Sequence, residues 1–369
     1  MNGTTNTPRA LGFRMPAEWE LHEATWLVWP HNPEDWPGKF QPIPWLYAEI
    51  VRLLAARERV HLIVQNTKEQ RRAVSILERA HANLDSVSFH QWPTDRVWTR
   101  DSGPIFVRNA EGRVALTNWQ FNAWAKYGDW QLDDQLPARV NELLGLPEWQ
   151  PCIQHHDGAK RRVVLEGGSI DVNGAGLLLT TEECLLSDVQ QRNPGLTREQ
   201  LERVFSDYLG IDQVIWLNRG IAGDDTHGHV DDIARFAAPD AIIAAVEPNT
   251  SDPNHQPLAE NLARLKSART ARGKQFTVIE LPMPRPIVFR KQRVPASYAN
   301  FYLANGVVLM PTFHDPNDRV ALNILAEAFP DREAIGVHSV DLIWGLGALH
   351  CMTQQQPAAS GRALREPPF

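Results

Sequence analysis

The chain has 369 residues, of which 43% are hydrophobic and 22% are charged, and its formal net charge is −7. This is the composition of a soluble globular protein, and the acidic balance disfavours binding to a nucleic-acid backbone. No apolar run approaches the ~18 residues of a membrane span, and the first residues lack the apolar core of a signal peptide. We therefore expect a cytoplasmic protein with neither membrane nor nucleic-acid partners.

Hydrophobic periodicity predicts alternating helices and strands from the first residues onward. In the first hundred residues we expect strands at 25–29, 60–64 and 87–92 and helices at about 45–57 and 67–81. Thr67 and Gln70 have the spacing of a capping box at the start of the second helix. The loop at 30–40 is rich in proline and aromatic residues, and it is either a recognition loop or a packed connector.

Four β-hairpins are predicted further along the chain, each with a turn that accepts positive or preset φ. They join 105–108 to 114–119, 170–172 to 177–180, 233–237 to 241–246, and 300–304 to 307–311. Helices are expected at about 134–144, 198–210, 258–268 and 318–329, and further strands at 162–168, 214–217, 276–281 and 334–338. Thr197 and Gln200 form a second capping-box pattern.

Residues with chemical character recur along this pattern. Asp101, Glu166 and His229 are separated by about 60 residues, and Cys351 follows after about twice that interval, which indicates an internal repeat. Loops of units related by rotation would bring such residues to one axis. The sequence therefore predicts one site formed from positions that are far apart in the chain.

The densest polar run of the chain lies at 223–232. If residues 226–233 are extended, His227, His229 and Asp231 share one face and Asp232 lies on the other. A solvated strand edge is the alternative, but a run that enters an apolar hairpin is expected to carry a function. Cys351 follows a glycine-spaced turn, where a thiol can be a packed side chain, a ligand or a nucleophile.

The three cysteines include no CxxC pair, so a disulfide framework and a structural zinc site are excluded. We expect Cys152 and Cys184 to be buried packing residues. Trp124, Trp130, His155, His156 and the basic stretch at 290–293 are expected to be packed or solvated.

A cysteine and a histidine in one pocket form a nucleophile and a proton shuttle, which also suits a thiol protease. Asp101, Glu166 and Asp231 change the expected substrate, because buried carboxylates repel one another unless a cation joins them. A planar guanidinium offers five donors that carboxylates accept. The same carboxylates should raise the pKa of the Cys351 thiol, so the thiolate forms chiefly when a cationic substrate arrives.

Six segments, taken in chain order, resemble the signature motifs of the agmatine deiminase family. They are WTRDSGP (98–104), LEGGS (165–169), GHVD (228–231), SYANFYLANG (297–306), FPDRE (329–333) and LHCMTQQQP (349–357). One such motif is weak, but the ordered set from about Pro16 to Pro357 is specific. The resemblance implies a pentein fold, which is a five-bladed pseudo-symmetric α/β propeller, as a single domain over 1–369. Short disordered tails are expected at about 1–14 and 358–369.

The resemblance also implies a reaction, the hydrolysis of agmatine to N-carbamoylputrescine and ammonia in polyamine and arginine metabolism, with no metal or cofactor. Cys351 would attack the guanidinium carbon to form a thiouronium intermediate, and His229 would give a proton to the departing ammonia. Asp101 and Asp231 would hold the guanidinium nitrogens, and Glu166 would support both His229 and the charge of the bound substrate. The other expected substrate-binding residues are Trp36, Trp98 and Gly168.

The chain departs from the family's pattern at three places. Gly345-Leu346-Gly347-Ala348 stands where three glycines and an asparagine are usual, and His227 stands where an aspartate is common. Pro37 follows Trp36 where many members have an arginine. That loop is expected near the far end of the substrate, so this departure bears on the choice of agmatine.

Three other functions are compatible with the sequence. The first is a peptidyl-arginine deiminase or a related guanidine-modifying hydrolase. The second is a zinc metallohydrolase, because His227-x-His229-x-Asp231 resembles half of a zinc site. The third is a catalytically silent binding protein on the same scaffold. The sequence leaves the formation of a homo-oligomer open.

Overall fold

The computed structural model of the chain describes residues 6–154, 158–270 and 273–359. His155 and His156, residues 1–5 and residues 360–369 lie outside these ranges, as do the matching parts of the predicted tails. The expectation of a disordered tail is wrong for residues 6–14. Arg9–Leu11 forms a 3-10 turn, and Phe13 is buried against the ring of Trp149. At the other end, Ala358 is buried and its N–H donates to the carbonyl of Leu21.

The described residues contain eight α-helices. They are α1 (Ile43–Ala55), α2 (Thr67–Arg79), α3 (Thr99–Ser102), α4 (Leu136–Leu144), α5 (Glu182–Leu186), α6 (Arg198–Leu209), α7 (His255–Ser267) and α8 (Asn317–Ala328).

Twenty strands lie in the same part of the chain. They are β1 (His22–Val28), β2 (Arg59–Val64), β3 (Val87–Gln91), β4 (Ile105–Arg108), β5 (Val114–Thr117), β6 (Glu148–Trp149), β7 (Cys152–Gln154), β8 (Lys160–Arg162), β9 (Asp171–Val172), β10 (Leu177–Thr181), β11 (Gln213–Leu217), β12 (Ala234–Ala238), β13 (Ala241–Val246), β14 (Thr277–Pro282), β15 (Val288–Phe289), β16 (Gln292–Arg293), β17 (Tyr302–Ala304), β18 (Val307–Thr312), β19 (Glu333–His338) and β20 (Gln354–Pro357).

Five sheets share one topology. Each contains an antiparallel pair followed by a parallel neighbour: β4-β5-β6, β9-β10-β11, β12-β13-β14, β17-β18-β19, and the four-stranded β20-β1-β2-β3. The first four pairs are the predicted hairpins. One or more helices lead from the middle strand to the parallel strand in each case, because a parallel connection has to cross back over the sheet. In the last sheet the C-terminal strand β20 pairs with β1, so the two ends of the described chain meet.

Local sequence explains where several helices begin and end. Thr197 and Gln200 form the predicted capping box of α6, and Gly210 ends that helix at φ 71°. The predicted capping box of α2 is wrong, because Asn66 is the N-cap and accepts from the N–H groups of Lys68 and Glu69. Asparagine is a more favourable N-cap than threonine, and its side-chain oxygen accepts from N–H groups of the first turn that have no partner within the helix.

One predicted strand, and one segment for which an extended conformation was considered, are absent where the structure places candidate site residues. Residues 163–166 follow β8 outside any strand, and Gly167–Ser169 forms a 3-10 turn. Residues 226–233 are not extended: His227 and Gly228 have φ of 64° and 96°, and Val230–Asp232 is a 3-10 turn. The alternation of side chains expected for an extended segment therefore does not apply there.

The core consists of three clusters of buried apolar side chains that lie beneath these sheets. The largest includes Trp26, Trp36, Tyr47, Phe301 and the Cys351 side chain. Among the helices of the described ranges, none has the length and apolar character needed to cross a membrane.

Candidate active site

The segment before the first strand of each of the five sheets contributes a polar side chain to one buried cluster. Asp101 lies in α3 before β4, Glu166 lies before β9, His229 and Asp231 lie before β12, Asn300 lies before β17, and Cys351 lies before β20. The predicted repeat therefore brings Asp101, Glu166, His229, Asp231 and Cys351 together. Asn300 is the corresponding residue of the fourth sheet, and it lies within the long interval between His229 and Cys351.

Backbone contacts hold the turn that carries Cys351. The Arg100 N–H in α3 donates to the Cys351 carbonyl (3.1 Å), and the Asn300 Oδ1 accepts from the His350 N–H (3.0 Å). A side chain at Gly347 would overlap the ring of Trp98 at 2.6 Å, and one at Gly345 would overlap the indole of Trp36 at 2.5 Å. These two glycines remain although the family pattern is altered at Leu346 and Ala348, because tryptophan rings occupy the space beside them.

The Cys351 thiol is buried and lines a cavity of about 290 Å³. Its Sγ lies 3.2 Å from the amide Nδ2 of Asn300 and 3.8 Å from Oδ2 of Asp231. Burial raises the pKa of the thiol well above its usual value, and Asp231, Asp232 and Asp101 raise it further. This is the direction that the sequence predicts, so the thiol is protonated in the free enzyme at neutral pH.

His229 lies between two carboxylates. Its Nδ1 is 3.8 Å from Oδ1 of Asp101, and its Nε2 is 3.6 Å from Oε2 of Glu166. Burial opposes a charge on the ring, but Asp101 and Glu166, together with the thiol of Cys184, raise the pKa of His229 well above its usual value. The ring therefore holds a proton that it can donate inside the cluster.

Glu166 and Asp101 differ in their proton affinity because their partners differ. Burial opposes ionisation of Glu166, but the Arg192 guanidinium, whose Nε lies 3.0 Å from Oε1, and His229 lower the pKa of Glu166 to about 2. Burial raises the pKa of Asp101 to about 6. The negative charges of Asp231 and Glu166 also raise it, whereas His229 lowers it. Glu166 is thus a permanent anion, whereas Asp101 titrates near neutrality.

Trp124 was not assigned a function from the sequence, but it contacts Asp101 directly. Its Nε1 donates to Oδ2 of Asp101 (2.9 Å), and its ring lines the cavity. Ala123, Trp124 and Ala125 have φ of 49°, 57° and 52°, which is left-handed backbone at three successive residues. Each such residue costs about 1–2 kcal/mol, so the surrounding contacts must hold this turn.

Gly168, which was predicted to bind the substrate, lies at the centre of the polar cluster. Its N–H donates to Oδ1 of Asp101 (3.1 Å). A Cβ at this position would lie 2.6 Å from Nδ1 of His229, 2.8 Å from Oδ1 of Asp101 and 3.0 Å from Oδ2 of Asp231. A side chain here would therefore collide with three groups that bind or transfer protons, and glycine allows them to approach one another this closely.

Several buried polar atoms in this cluster have no hydrogen-bond partner among the described residues. They are Oδ1 of Asp231, Oε2 of Glu166 and both ring nitrogens of His229. Such groups are normally paired when they are buried. Two carboxylate acceptors thus face the cluster without a donor, as a site for a flat cation with several N–H groups requires.

The remaining predicted site residues lie in different places. Trp98 lines the cavity, but Trp36 is fully buried, donates from Nε1 to the Leu342 carbonyl (2.8 Å) and is not among the lining residues. His227 turns away, and its Nε2 lies 3.2 Å from the hydroxyl of Ser187. The predicted zinc motif of His227, His229 and Asp231 is therefore not formed.

One other group of metal-ligating side chains was found in the described ranges. Donor atoms of Glu166, Cys184 and His229 lie within 4.8 Å of one another. Cys184 is thus next to His229, although it was predicted to be a packing residue alone. Glu166 already pairs with Arg192, which provides a cation at this position.

Part of the loop at 30–40 forms the cavity wall. Glu34, Asp35 and Pro37 line the cavity together with Arg96 and Asp225. Burial raises the pKa of Asp35 to about 7, although the Arg96 guanidinium, 3.0 Å away, opposes this. The cavity wall therefore contains several carboxylates that come from segments far from Cys351 in the sequence.

Fold and cluster together define the class of this protein as a hydrolase that acts on C–N bonds of guanidines. A sequence model of the Porphyromonas-type peptidyl-arginine deiminase family matches residues 14–357, and the chain belongs to that family. Similarity to an agmatine deiminase of Ectopseudomonas mendocina (strain ymp) is 36% identity over 384 residues, covering 98% of this chain and 100% of that protein.

Solved structures of similar proteins have the same fold. An agmatine deiminase of Enterococcus faecalis has a TM-score of 0.86 at 31% identity, with 97% of this chain and 99% of that chain covered. An agmatine deiminase of C. jejuni has a TM-score of 0.79 at 28% identity, with 94% and 97% covered. The mixed α/β architecture is therefore shared along nearly the whole length.

Proposed function

We propose that this enzyme hydrolyses the guanidinium group of agmatine to N-carbamoylputrescine and ammonia. The observation that carries the proposal is the cavity lined by Cys351 and Asp101, with Oδ2 of Asp231 3.8 Å from the Cys351 sulfur and Nδ1 of His229 3.8 Å from Asp101. Its acceptors suit a planar cation, and its thiol suits attack on that cation's carbon. The similar proteins named agmatine deiminases, which match over the whole length, favour agmatine over a peptidyl arginine.

The first step is binding with loss of the thiol proton. Asp101 and Asp231 accept N–H groups of the guanidinium, and its positive charge offsets the repulsion that keeps the Cys351 thiol protonated. The thiol proton then leaves to the solvent, and the thiolate forms next to the guanidinium carbon. Binding and activation of the nucleophile are thus one event, because both depend on the charge of the substrate.

In the second step the Cys351 sulfur forms a bond to the guanidinium carbon, which becomes tetrahedral. His229, protonated between Asp101 and Glu166, donates its proton to one terminal nitrogen. The C–N bond breaks, ammonia leaves, and a covalent thiouronium remains on Cys351. Glu166 stabilises the protonated ring before this transfer and keeps the neutral ring oriented after it.

In the third step one water molecule attacks the thiouronium carbon. The neutral His229 accepts one proton of this water, and the C–S bond breaks with the thiolate of Cys351 as the leaving group. The remaining hydroxyl proton leaves as the C=O bond forms, and Cys351 is protonated again when the neutral product departs. The carbonyl oxygen of N-carbamoylputrescine comes from the water. The cycle consumes one water per ammonia released and involves no change of oxidation state.

The carboxylates of the cavity wall suit the second charge of agmatine, its distal ammonium. Glu34, Asp35 and Asp225 line the same cavity as Cys351. An α-carboxylate, as in free arginine, would meet this acidic wall unfavourably.

The same proposal includes the architecture and the setting of the enzyme. Five sheets of one topology, each contributing a residue to one cluster, support a five-bladed pentein propeller in a single domain over 1–369. The net charge of −7 supports a cytoplasmic enzyme that works without nucleic acid. We also propose that the enzyme forms a homo-oligomer, which a measurement of its size in solution would test.

The test is a substrate comparison with the purified full chain. Ammonia and ureido product are measured with agmatine, free arginine and an arginyl peptide. We expect kcat/KM for agmatine to exceed the other two values by at least about 10²-fold, because each mismatched charge forfeits a buried polar contact. Equal or faster turnover of the peptide would contradict the proposal.

A further inference from the structure

His350, next to the nucleophile in sequence, lies between two buried carboxylates. Its Nδ1 is 2.7 Å from Oδ2 of Asp231, and its Nε2 is 2.7 Å from Oε2 of Glu18. The three side chains are at most 6% exposed. A carboxylate accepts a hydrogen bond and a ring N–H donates one, so with Glu18 and Asp231 both ionised the two contacts are satisfied together by a doubly protonated ring.

Glu18 is itself fixed by cations and by the backbone. Arg235 and Arg100 approach its Oε2 at 2.9 Å and 3.3 Å, and its Oε1 accepts from the Leu303 N–H (2.8 Å). Arg235 continues to Asp171 at 2.9 Å. Buried charges thus alternate in sign from Asp171 through Arg235, Glu18 and His350 to Asp231, beside the Cys351 thiol.

The contact with His350 affects the ionisation of Asp231, a carboxylate that we propose binds the substrate. His350 is the one cation that donates a hydrogen bond to Asp231 in the described part of the chain. Burial opposes ionisation of Asp231, but His350, followed by His229 and Arg235, lowers its pKa. The neighbouring Asp232 lacks such a cationic donor, and burial together with Asp231 raises its pKa well above the usual value. The pKa values of two adjacent aspartates are therefore shifted in opposite directions, and of the two only Asp231 contacts His350.

We propose that His350 is a positioning residue whose doubly protonated ring, anchored by Glu18, keeps Asp231 ionised and directed at the substrate guanidinium. The inference rests on the proposed deimination and deepens it. His350 does not touch the reacting atoms in this arrangement. It acts through Asp231, whose unpaired Oδ1 remains free to accept from the substrate.

The charged and titratable groups around this pair come from several elements. They are Glu18, Arg100, Asp101, Asp171, His229, Asp232, Arg235 and Cys351. Of these, Asp101 has a pKa of about 6, so it sets the acid limb of kcat/KM while Asp231 stays ionised. Loss of His350 would bring a second proton into that limb, which makes the limb steeper and moves it to higher pH.

Two variants separate the contacts of the ring. In His350→Asn the amide nitrogen takes the place of Nδ1 and can still donate to Asp231. In His350→Gln it takes the place of Nε2 and can reach only Glu18. We expect kcat/KM for agmatine to fall about 10²-fold in His350→Gln, mainly through KM, because the charge-assisted contact with Asp231 is lost. We expect a fall of about 10-fold in His350→Asn, because a neutral hydrogen bond to Asp231 remains. His338→Gln, on an exposed strand residue, is the matched control.

The pH profile distinguishes positioning from a purely structural role. We expect the acid limb of kcat/KM to move up by about one pH unit in His350→Gln, with a two-proton slope, and to move less in His350→Asn. If both variants keep the wild-type limb and their losses follow their melting temperatures instead, the proposal is overturned.

A measurement without turnover keeps the inference separate from the proposed reaction. With ¹⁵N-labelled histidine, assigned by comparison with His350→Gln, both ring nitrogens of His350 should carry protons at pH 7 in the free wild-type enzyme. The Glu18→Gln variant should lose one of them. A neutral ring in the wild type would overturn the inference even if agmatine is turned over, whereas a charged ring in an enzyme inert to agmatine would overturn only the proposed substrate.

Discussion

The Cys351 sulfur lies 3.8 Å from a carboxylate oxygen of Asp231, a residue 120 positions earlier in the chain. A thiol and a carboxylate at this distance in a buried site disfavour each other's ionised forms. We therefore expect the thiol to stay protonated until a cation is present, which would link its activation to the charge of the substrate.

Alkylation of the free enzyme should report this state. Burial and three aspartates raise the pKa of Cys351, so the rate of inactivation by iodoacetamide should keep increasing with pH above about 8.5, the usual thiol value. The rate is measured across pH and corrected with Cys351→Ser, since Cys152 is partly exposed. A midpoint below the usual value would contradict substrate-linked activation.

Replacement of the nucleophile should separate binding from turnover. We expect Cys351→Ser to lower kcat by at least about 10³-fold, because a buried hydroxyl next to carboxylates is not ionised at neutral pH. Agmatine binding, measured by calorimetry, should remain detectable. The control is Cys152→Ser in β7, far along the chain from the cluster, which should keep wild-type kcat.

An added methyl group at Gly168 should block the site. In Gly168→Ala the new Cβ would lie within 3.0 Å of groups on His229, Asp101 and Asp231. We expect kcat/KM to fall about 10²-fold or more, because displacing these groups by a fraction of an ångström disturbs the reacting geometry. Gly128→Ala is the control, since a Cβ there meets nothing within 4 Å. Equal activity of the two variants would show that Gly168 does not contribute to the site.

Acid should inactivate the enzyme through Asp101. The pKa of this carboxyl is raised to about 6, so below about pH 6 kcat/KM should lose a further factor of ten per unit, beyond the pH dependence that loss of the thiol proton imposes, because a protonated Asp101 no longer accepts from the guanidinium. The effect on stability has the opposite sign. The folded state binds this proton more tightly than the unfolded chain, so the contribution of Asp101 to the free energy of unfolding decreases as pH rises from about 4 to about 6.

Trp124 should adjust that acid limb. Its indole N–H stabilises the ionised Asp101, so Trp124→Phe should move the limb to higher pH and lower kcat/KM at pH 6 by about 3- to 10-fold, as expected for one buried hydrogen bond to a charged group. Trp130→Phe in the same segment, outside the cavity lining, serves as the control. An unchanged limb in Trp124→Phe would indicate that the ring acts by packing alone.

Local signals predicted much of the fold. Asn305-Gly306, Asn173-Gly174 and Glu111-Gly112 marked hairpins that the structure contains, since turn geometry depends on a few residues and positive φ. The capping box at Thr197 was confirmed, whereas the one at Thr67 was wrong because a better cap preceded it by one residue. The strand predicted at 162–168 failed because residues at the site adopt turns that serve the cluster rather than a sheet.

The sequence by itself determined the repeat, the hairpins and the residue types of the cluster, because periodicity and turn chemistry are local properties. Only the tertiary structure decided which neighbours each side chain meets, and with them its charge. His227 and His229 are two residues apart but lie in different surroundings, while Glu18 and His350 are in contact across 332 residues. Proton affinity depends on burial and on nearby charges, and both arise from contacts between distant segments.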